Sequence, residues 1–228
     1  VSTAAQEAWL PVILGGVVLL LYELHFRYSW QRAPLRFARA THARLRADWV
    51  RSLMQQPGNE LLAVQTIRNS LLSATLTAST AVLALIGAIS LLGESMAPEL
   101  LRRTLRSAPA LTPRMLLMAA LIAILSASFA FSAMAVRFFN HAGYLMTSLQ
   151  QENETRDRLQ AMAGNYMMRA GNYHSLGLRT LFWIAPVAVG LVNPLLMPPA
   201  SVALVGVLLW FDRTPEQLEG VLPGDAGR

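Results

Sequence analysis

Residues 71–92 read LLSATLTASTAVLALIGAISLL, 22 positions without one Asp, Glu, Lys or Arg. A helix rises about 1.5 Å per residue and the hydrocarbon of a bilayer is about 30 Å thick, so about 20 such residues suffice to cross it. This stretch therefore reads as a transmembrane helix, and it decides the class of the protein. Residues 115–136 repeat the pattern with another 22 uncharged positions, bracketed by Arg114 and Arg137.

Toward the N-terminus, Ala8 to Tyr22 is apolar and extends to Tyr28 if Glu23 and His25 sit at the membrane boundary. Tyr22, Phe26, Tyr28 and Trp30 give that end an aromatic belt. No basic region precedes this block, so it is expected to be a retained span rather than a cleaved signal.

Toward the C-terminus, Thr180 to Phe211 holds 32 uncharged residues, too many for one straight crossing. Asn193-Pro194 and Pro198-Pro199 interrupt it, and proline removes a helix donor while disfavouring helix in the residue before it. A helical hairpin is expected, with arms 177–192 and 199–211 and with Arg179 and Arg213 at one membrane surface. A single kinked span is the alternative.

The expected fold is thus an all-α, polytopic transmembrane bundle of four to five spans, at about 8–28, 69–92, 115–137, 177–192 and 199–211. Residues 1–213 form one domain, and 214–228 read as a loosely ordered tail. Composition agrees. The 228 residues are 54% hydrophobic and only 14% charged, against about a quarter charged in soluble domains.

There is no Cys, which excludes iron–sulfur clusters, thiolate zinc sites and Cys nucleophiles. There is no Lys either, since all 19 basic residues are Arg, and this excludes Walker-type phosphate loops and Schiff-base chemistry. The net charge of +6 is assigned to the cytoplasmic membrane surface rather than to nucleic acid.

Arginine placement sets the expected orientation. Arg27, Arg32, Arg36, Arg39, Arg44, Arg46 and Arg51 face a single acid, Asp48, after the first span. That places segment 27–68 in the cytoplasm and the N-terminus outside, in a bacterial inner membrane. Within it Ala38, His42, Leu45, Trp49 and Leu53 recur at helical spacing among arginines. The pattern fits a basic amphipathic helix, either lying among anionic lipid headgroups or packed on the bundle's end. Gln56-Pro57-Gly58-Asn59 should break it, with Asn59 capping the next helix.

Three stretches carry a family resemblance. They are NELLAVQTIRN (59–69) entering the second span, VRFFNHAG (136–143) leaving the third, and GNYHSLGLR (171–179). In order and spacing the chain resembles the family known as domain of unknown function 599, small multi-span membrane proteins of bacteria and plants. The resemblance implies a membrane architecture and carries no activity with it.

Polar residues within or beside the spans are the candidate functional groups, because each is costly in lipid unless partnered. Gln65, Asn69, Ser73 and Thr77 repeat every fourth residue as a stripe, with Arg68 beside it. Ser128 and Ser132 lead on to Asn140 in the third span. Two such stripes could line a hydrated path or simply allow close packing, as Ala119, Ala123 and Ala127 would.

Glu60, Arg68, Arg137, Asn140, His141, His174 and Arg179 all fall near the cytoplasmic ends of their helices. They are expected to form an ion-pair cluster or an anion pocket. His25, His141 and His174 are the candidates for a divalent metal or haem, but no metal-ligand spacing supports them and no cofactor is predicted. No catalytic motif stands out.

The reading that follows is a non-catalytic membrane protein, acting as an oligomeric scaffold or accessory subunit, in contact with anionic lipid and not nucleic acid. A channel or transporter for a small anionic or polar solute comes second. A haem- or quinone-binding redox subunit comes third.

Overall fold

The computed structural model describes residues 2–32, 38–55, 58–103, 111–147 and 153–212. They form seven helices: α1 (Ser2–Arg32), α2 (Ala38–Gln55), α3 (Glu60–Arg103), α4 (Pro113–Thr147), α5 (Asn153–Phe182), α6 (Ile184–Val192) and α7 (Met197–Asp212). Five stretches are long and apolar enough to cross a membrane: Trp9–Phe26, Leu61–Gly93, Pro113–Met146, Asp157–Val192 and Pro194–Asp212. The protein is an all-α transmembrane helical bundle with five stretches that can serve as spans.

The helix boundaries follow from local chemistry. Gly58 takes a positive φ of 98°, which glycine adopts without steric cost. Asn59 O then accepts the Ala63 N–H at 3.0 Å, opening α3. Thr112 opens α4 in the same way, its carbonyl accepting from Leu116 N at 3.1 Å. Its Oγ1 adds a cap by accepting from Met115 N at 3.3 Å, with Pro113 as the first helical residue, where a missing N–H costs nothing.

The region after Thr180 differs in detail from the sequence expectation. No helix opens at Gly177; α5 runs unbroken from Asn153 to Phe182. It stops at Trp183 because Pro186 has no N–H to offer the Phe182 carbonyl. The chain then reverses at Asn193, whose backbone is extended and whose Oδ1 accepts from Leu195 N at 3.1 Å. A single 3-10 turn, Pro194–Leu196, leads into α7. Pro198 and Pro199 fall in the first turn of α7, so they permit the helix instead of interrupting it.

At about 1.5 Å per residue, the 36 residues of Asp157–Val192 are longer than a bilayer needs. The surplus is the N-terminal half of α5, and α2 packs along it. Val50 of α2 is fully buried in one cluster with Ala163, Met167 and Ala170 of α5 and with Ala63, Ile67, Ala74, Ala135, Phe139 and Met146 of α3 and α4. This favours α2 packed on the bundle, and the buried stripe is rotated from the expected one. Trp49 and Leu53 border the cluster, whereas Leu45 is 40% exposed. Close approach explains the rotation, since Ala47, not Leu45, meets the bare backbone of Gly164. The side chains of Ala38 and His42 lie outside the described residues.

A second cluster, Val12, Leu117, Val187 and Met197, joins α1, α4, α6 and α7 toward the opposite end. The helix α4 contributes to both clusters and is the axis of the bundle. On α3 the buried positions are Ala63, Ile67, Ala74, Thr77, Ala81 and Ala88, a three–four spacing of mostly small residues that brings two helix backbones close. On α4, by contrast, Ala119 and Ala123 are exposed and Ala127 is half-buried. Among the described residues, Ala119 and Ala123 of the α4 alanine ladder are therefore not buried by another helix. The ladder's place is taken by the serines one residue on.

Candidate functional site

Those serines mark a close approach of α4 and α5. Ser128 Oγ donates to the Gly177 carbonyl at 2.9 Å. A Cβ placed on Gly177 would lie 2.6 Å from Ser132 Oγ. Both serines are fully buried. They turn toward α5 and not toward the Gln65–Thr77 stripe of α3, so the two stripes do not face each other. The seam continues in aromatic contacts, with Phe138 stacked on Tyr173 at 5.4 Å and against Tyr166 at 5.8 Å.

A polar cluster does form where three helices meet, around Arg179 of α5. Arg179 Nη1 donates to Asp212 of α7 at 3.0 and 3.2 Å. Its Nη2 donates to the Tyr22 hydroxyl of α1. The Tyr22 O–H in turn donates to Asp212 Oδ2 at 2.7 Å, closing a ring of three side chains. Glu23 adds a weaker pairing, 3.9 Å from Arg179 Nε. The guanidinium lies over the Phe26 ring at 3.8 Å, a cation–π arrangement that replaces water on that face. The Arg179 side chain is 11% exposed. Its positive charge is balanced inside the protein, so the cluster works as a clamp between α1, α5 and α7.

The residues expected to cluster thus separate. Arg179 finds its carboxylates in Asp212 and Glu23. The Glu60 side chain lies outside the described residues. Arg68, Arg137 and Asn140 are exposed, and no ion pair among the described residues involves either arginine. His141 is exposed, its ring 5.6 Å from that of Tyr166. His25 is exposed as well. Among the described residues no group of three or more His, Asp or Glu is arranged to hold a metal ion.

Of the α3 stripe, Gln65, Asn69 and Ser73 are exposed and Thr77 is buried, donating to the Ser73 carbonyl at 2.9 Å. Ser73 Oγ also reaches His174 Nε2 at 3.4 Å, so among the described residues His174 is a partner that another helix supplies to the stripe. Beside it stands Arg46 of α2, a residue sequence reasoning treated only as part of a charge run. Its guanidinium lies directly on Gly171, where any Cβ would collide with it.

Tyr22, Glu23 and Asp212 were also missed as site residues. A signal for them existed, because a carboxylate at the last turn of an apolar block is costly without a partner. Both Glu23 and Asp212 hold such positions, opposite the lone arginine that opens the last block.

No curated protein and no solved structure matches the chain. The family model described as "Protein of unknown function, DUF599" matches residues 10–217, and the chain belongs to that family.

Proposed function

We propose that the protein is a non-catalytic membrane subunit, an oligomeric scaffold or accessory component of the bacterial inner membrane, oriented with segment 27–68 in the cytoplasm. The observation that carries this reading is the outer face of α3. There Gln65, Asn69 and Ser73 are exposed side by side with Arg68, on a helix whose buried face meets α4. Side-chain amides and hydroxyls at a lipid-facing surface gain from a hydrogen-bonding partner helix, by about 1 kcal/mol each. The small-residue surface at Ala119 and Ala123 offers a second face where another backbone can approach. The internal clamp at Arg179 supports the same reading, since it uses its charges to fix helices to one another.

The chain has no cysteine, so a single Asn69→Cys variant reports on its own surroundings. Oxidation in native membranes should give a crosslinked dimer, and Val207→Cys on the exposed face of α7 should not. If another protein covers α3, the crosslink appears instead at a higher mass and copurification identifies the partner. A monomeric, uncrosslinked Asn69→Cys protein that purifies alone from native membranes would defeat the proposal.

A further inference from the structure

Arg46 takes part in no ion pair among the described residues. It projects from α2 into the seam with α5 and is half-buried there. Its Nε is sealed from solvent without a hydrogen-bond partner. Burial pushes its pKa down from the ordinary arginine value, and no carboxylate counters that shift. The nearest acid in sequence, Asp48, is instead paired outward with Arg51 at 3.6 Å. A buried guanidinium left without an anion is costly, and folded proteins normally pair it.

His174 stands beside Arg46 as an electrostatic neighbour, one turn of α5 beyond the glycine on which the guanidinium rests. Its Nδ1 is likewise sealed and without a partner. Ser73 Oγ stands 3.4 Å from Nε2; in the tautomer in which Ser73 donates to Nε2, the ring proton sits on Nδ1, which is then a donor lacking an acceptor. In that tautomer three helices bring two unsatisfied donors and a positive charge to one place. Gly171 leaves the room for them, because a side chain there would displace Arg46.

We propose that Arg46 and His174, backed by Ser73, bind a phosphate oxyanion in the seam between α2 and α5. The planar guanidinium matches the oxygen spacing of a phosphate, and the anion supplies the charge and the acceptors that the chain leaves open. The phosphate belongs either to a lipid headgroup at the membrane surface where α2 packs or to a free solute. Ser73 is common to this site and the α3 face, but Arg46 and His174 belong to α2 and α5, so the variants that test the site leave Asn69 and its surroundings on α3 in place.

The test uses the full chain, purified and delipidated in a neutral detergent. Thermal unfolding is followed against increasing inorganic phosphate, and separately against phosphatidylglycerol with a phosphate-free galactolipid as control. Stabilisation by inorganic phosphate supports the site with a soluble ligand. Stabilisation by phosphatidylglycerol alone supports it with a lipid ligand. In either case Arg46→Gln should weaken the apparent affinity at least about tenfold, the loss expected for one charged hydrogen-bonding partner. Arg51→Gln, one turn further along the exposed face, should leave it unchanged.

If Arg46→Gln does not fold, His174→Gln gives the second reading, with an expected loss of about threefold, as for one hydrogen bond of ordinary strength. An equal response in wild type and in the foldable variant, or no response of the wild type to either phosphate source, overturns the proposal.

Discussion

Arg179 Nη1 lies 3.0 Å from Asp212 Oδ2, so a guanidinium of α5 holds the last residue of α7 across 33 residues of chain. Tyr22 closes the ring from α1. Three helices are therefore fastened at one end by a single arginine.

Removing one side of this clamp leaves the other buried and unpaired. With Arg179 11% and Asp212 21% exposed, Asp212→Asn should destabilise the protein by about 2 kcal/mol, below the range for fully buried pairs. Glu23→Gln should cost less, since its oxygen stands at 3.9 Å. Arg179→Gln combined with Asp212→Asn should cost less than the two single changes added together, because the contact is lost only once. Reversible unfolding of all four variants in the same detergent checks this, and strict additivity would show that the pair is not coupled.

The contact between Gly177 and Ser132 makes a second coupled pair. Gly177→Ala would set its Cβ 2.6 Å from Ser132 Oγ, and overpacking of this kind costs about 1–3 kcal/mol. Gly87→Ala should be neutral or slightly stabilising, because nothing lies within 4 Å of its Cβ position. Adding Ser132→Ala to Gly177→Ala should restore part of the loss. The Ser128 carbonyl and the Ser132 amide, both at 3.4 Å, keep the rescue incomplete. Melting curves that rank Gly87→Ala below Gly177→Ala would contradict this account of the α4–α5 seam.

The spans were legible because lipid imposes a local rule. Residues 71–92 and 115–136 announce themselves by the absence of charge alone, and Asn193-Pro194 marks the reversal by backbone chemistry that needs no tertiary information. The Arg179 clamp was not legible, because it depends on which helices lie side by side. Tyr22 and Asp212 are 190 positions apart, and periodicity carries no signal over that distance. The face of α2 failed for a related reason. Leu45 suits an apolar stripe by itself, but the small residues of α5 admit Ala47 and Val50 more closely. Arg46 looked like one more arginine among seven until Gly171 placed it indoors.

Two alanines on neighbouring helices should respond in opposite ways. Ala74 is fully buried in the α3–α4 core, and Ala74→Leu should destabilise the folded chain by about 1–3 kcal/mol. Ala123 is exposed, so Ala123→Leu should leave the unfolding of the isolated chain unchanged. If the α4 ladder packs against another chain in the membrane, the same variant should lower the native mass without lowering the stability of the monomer. Detergent melting separates the first effect and native mass spectrometry the second. An Ala74→Leu protein as stable as wild type would remove the basis for a close α3–α4 seam.

Topology offers the most direct check on how the helices are arranged. Gly15 of α1 lies against Met197 and Ser201 near the start of α7, and Tyr22 further along α1 bonds Asp212 at its end. The two helices therefore run in the same direction and must leave the membrane on the same side. A reporter fused after Asp212 should share a compartment with one inserted after Arg51, and one inserted at Leu111, between α3 and α4, should occupy the other. The arginine-rich segment after α1 assigns the shared compartment to the cytoplasm, so a fluorescent fusion should be bright at Asp212 and an alkaline phosphatase fusion active at Leu111. If Asp212 and Arg51 report the same side but that side is external, the orientation is inverted while the Tyr22–Asp212 contact stands. If they report opposite sides, α1 and α7 cannot run in parallel, and the clamp around Arg179 cannot exist in the membrane.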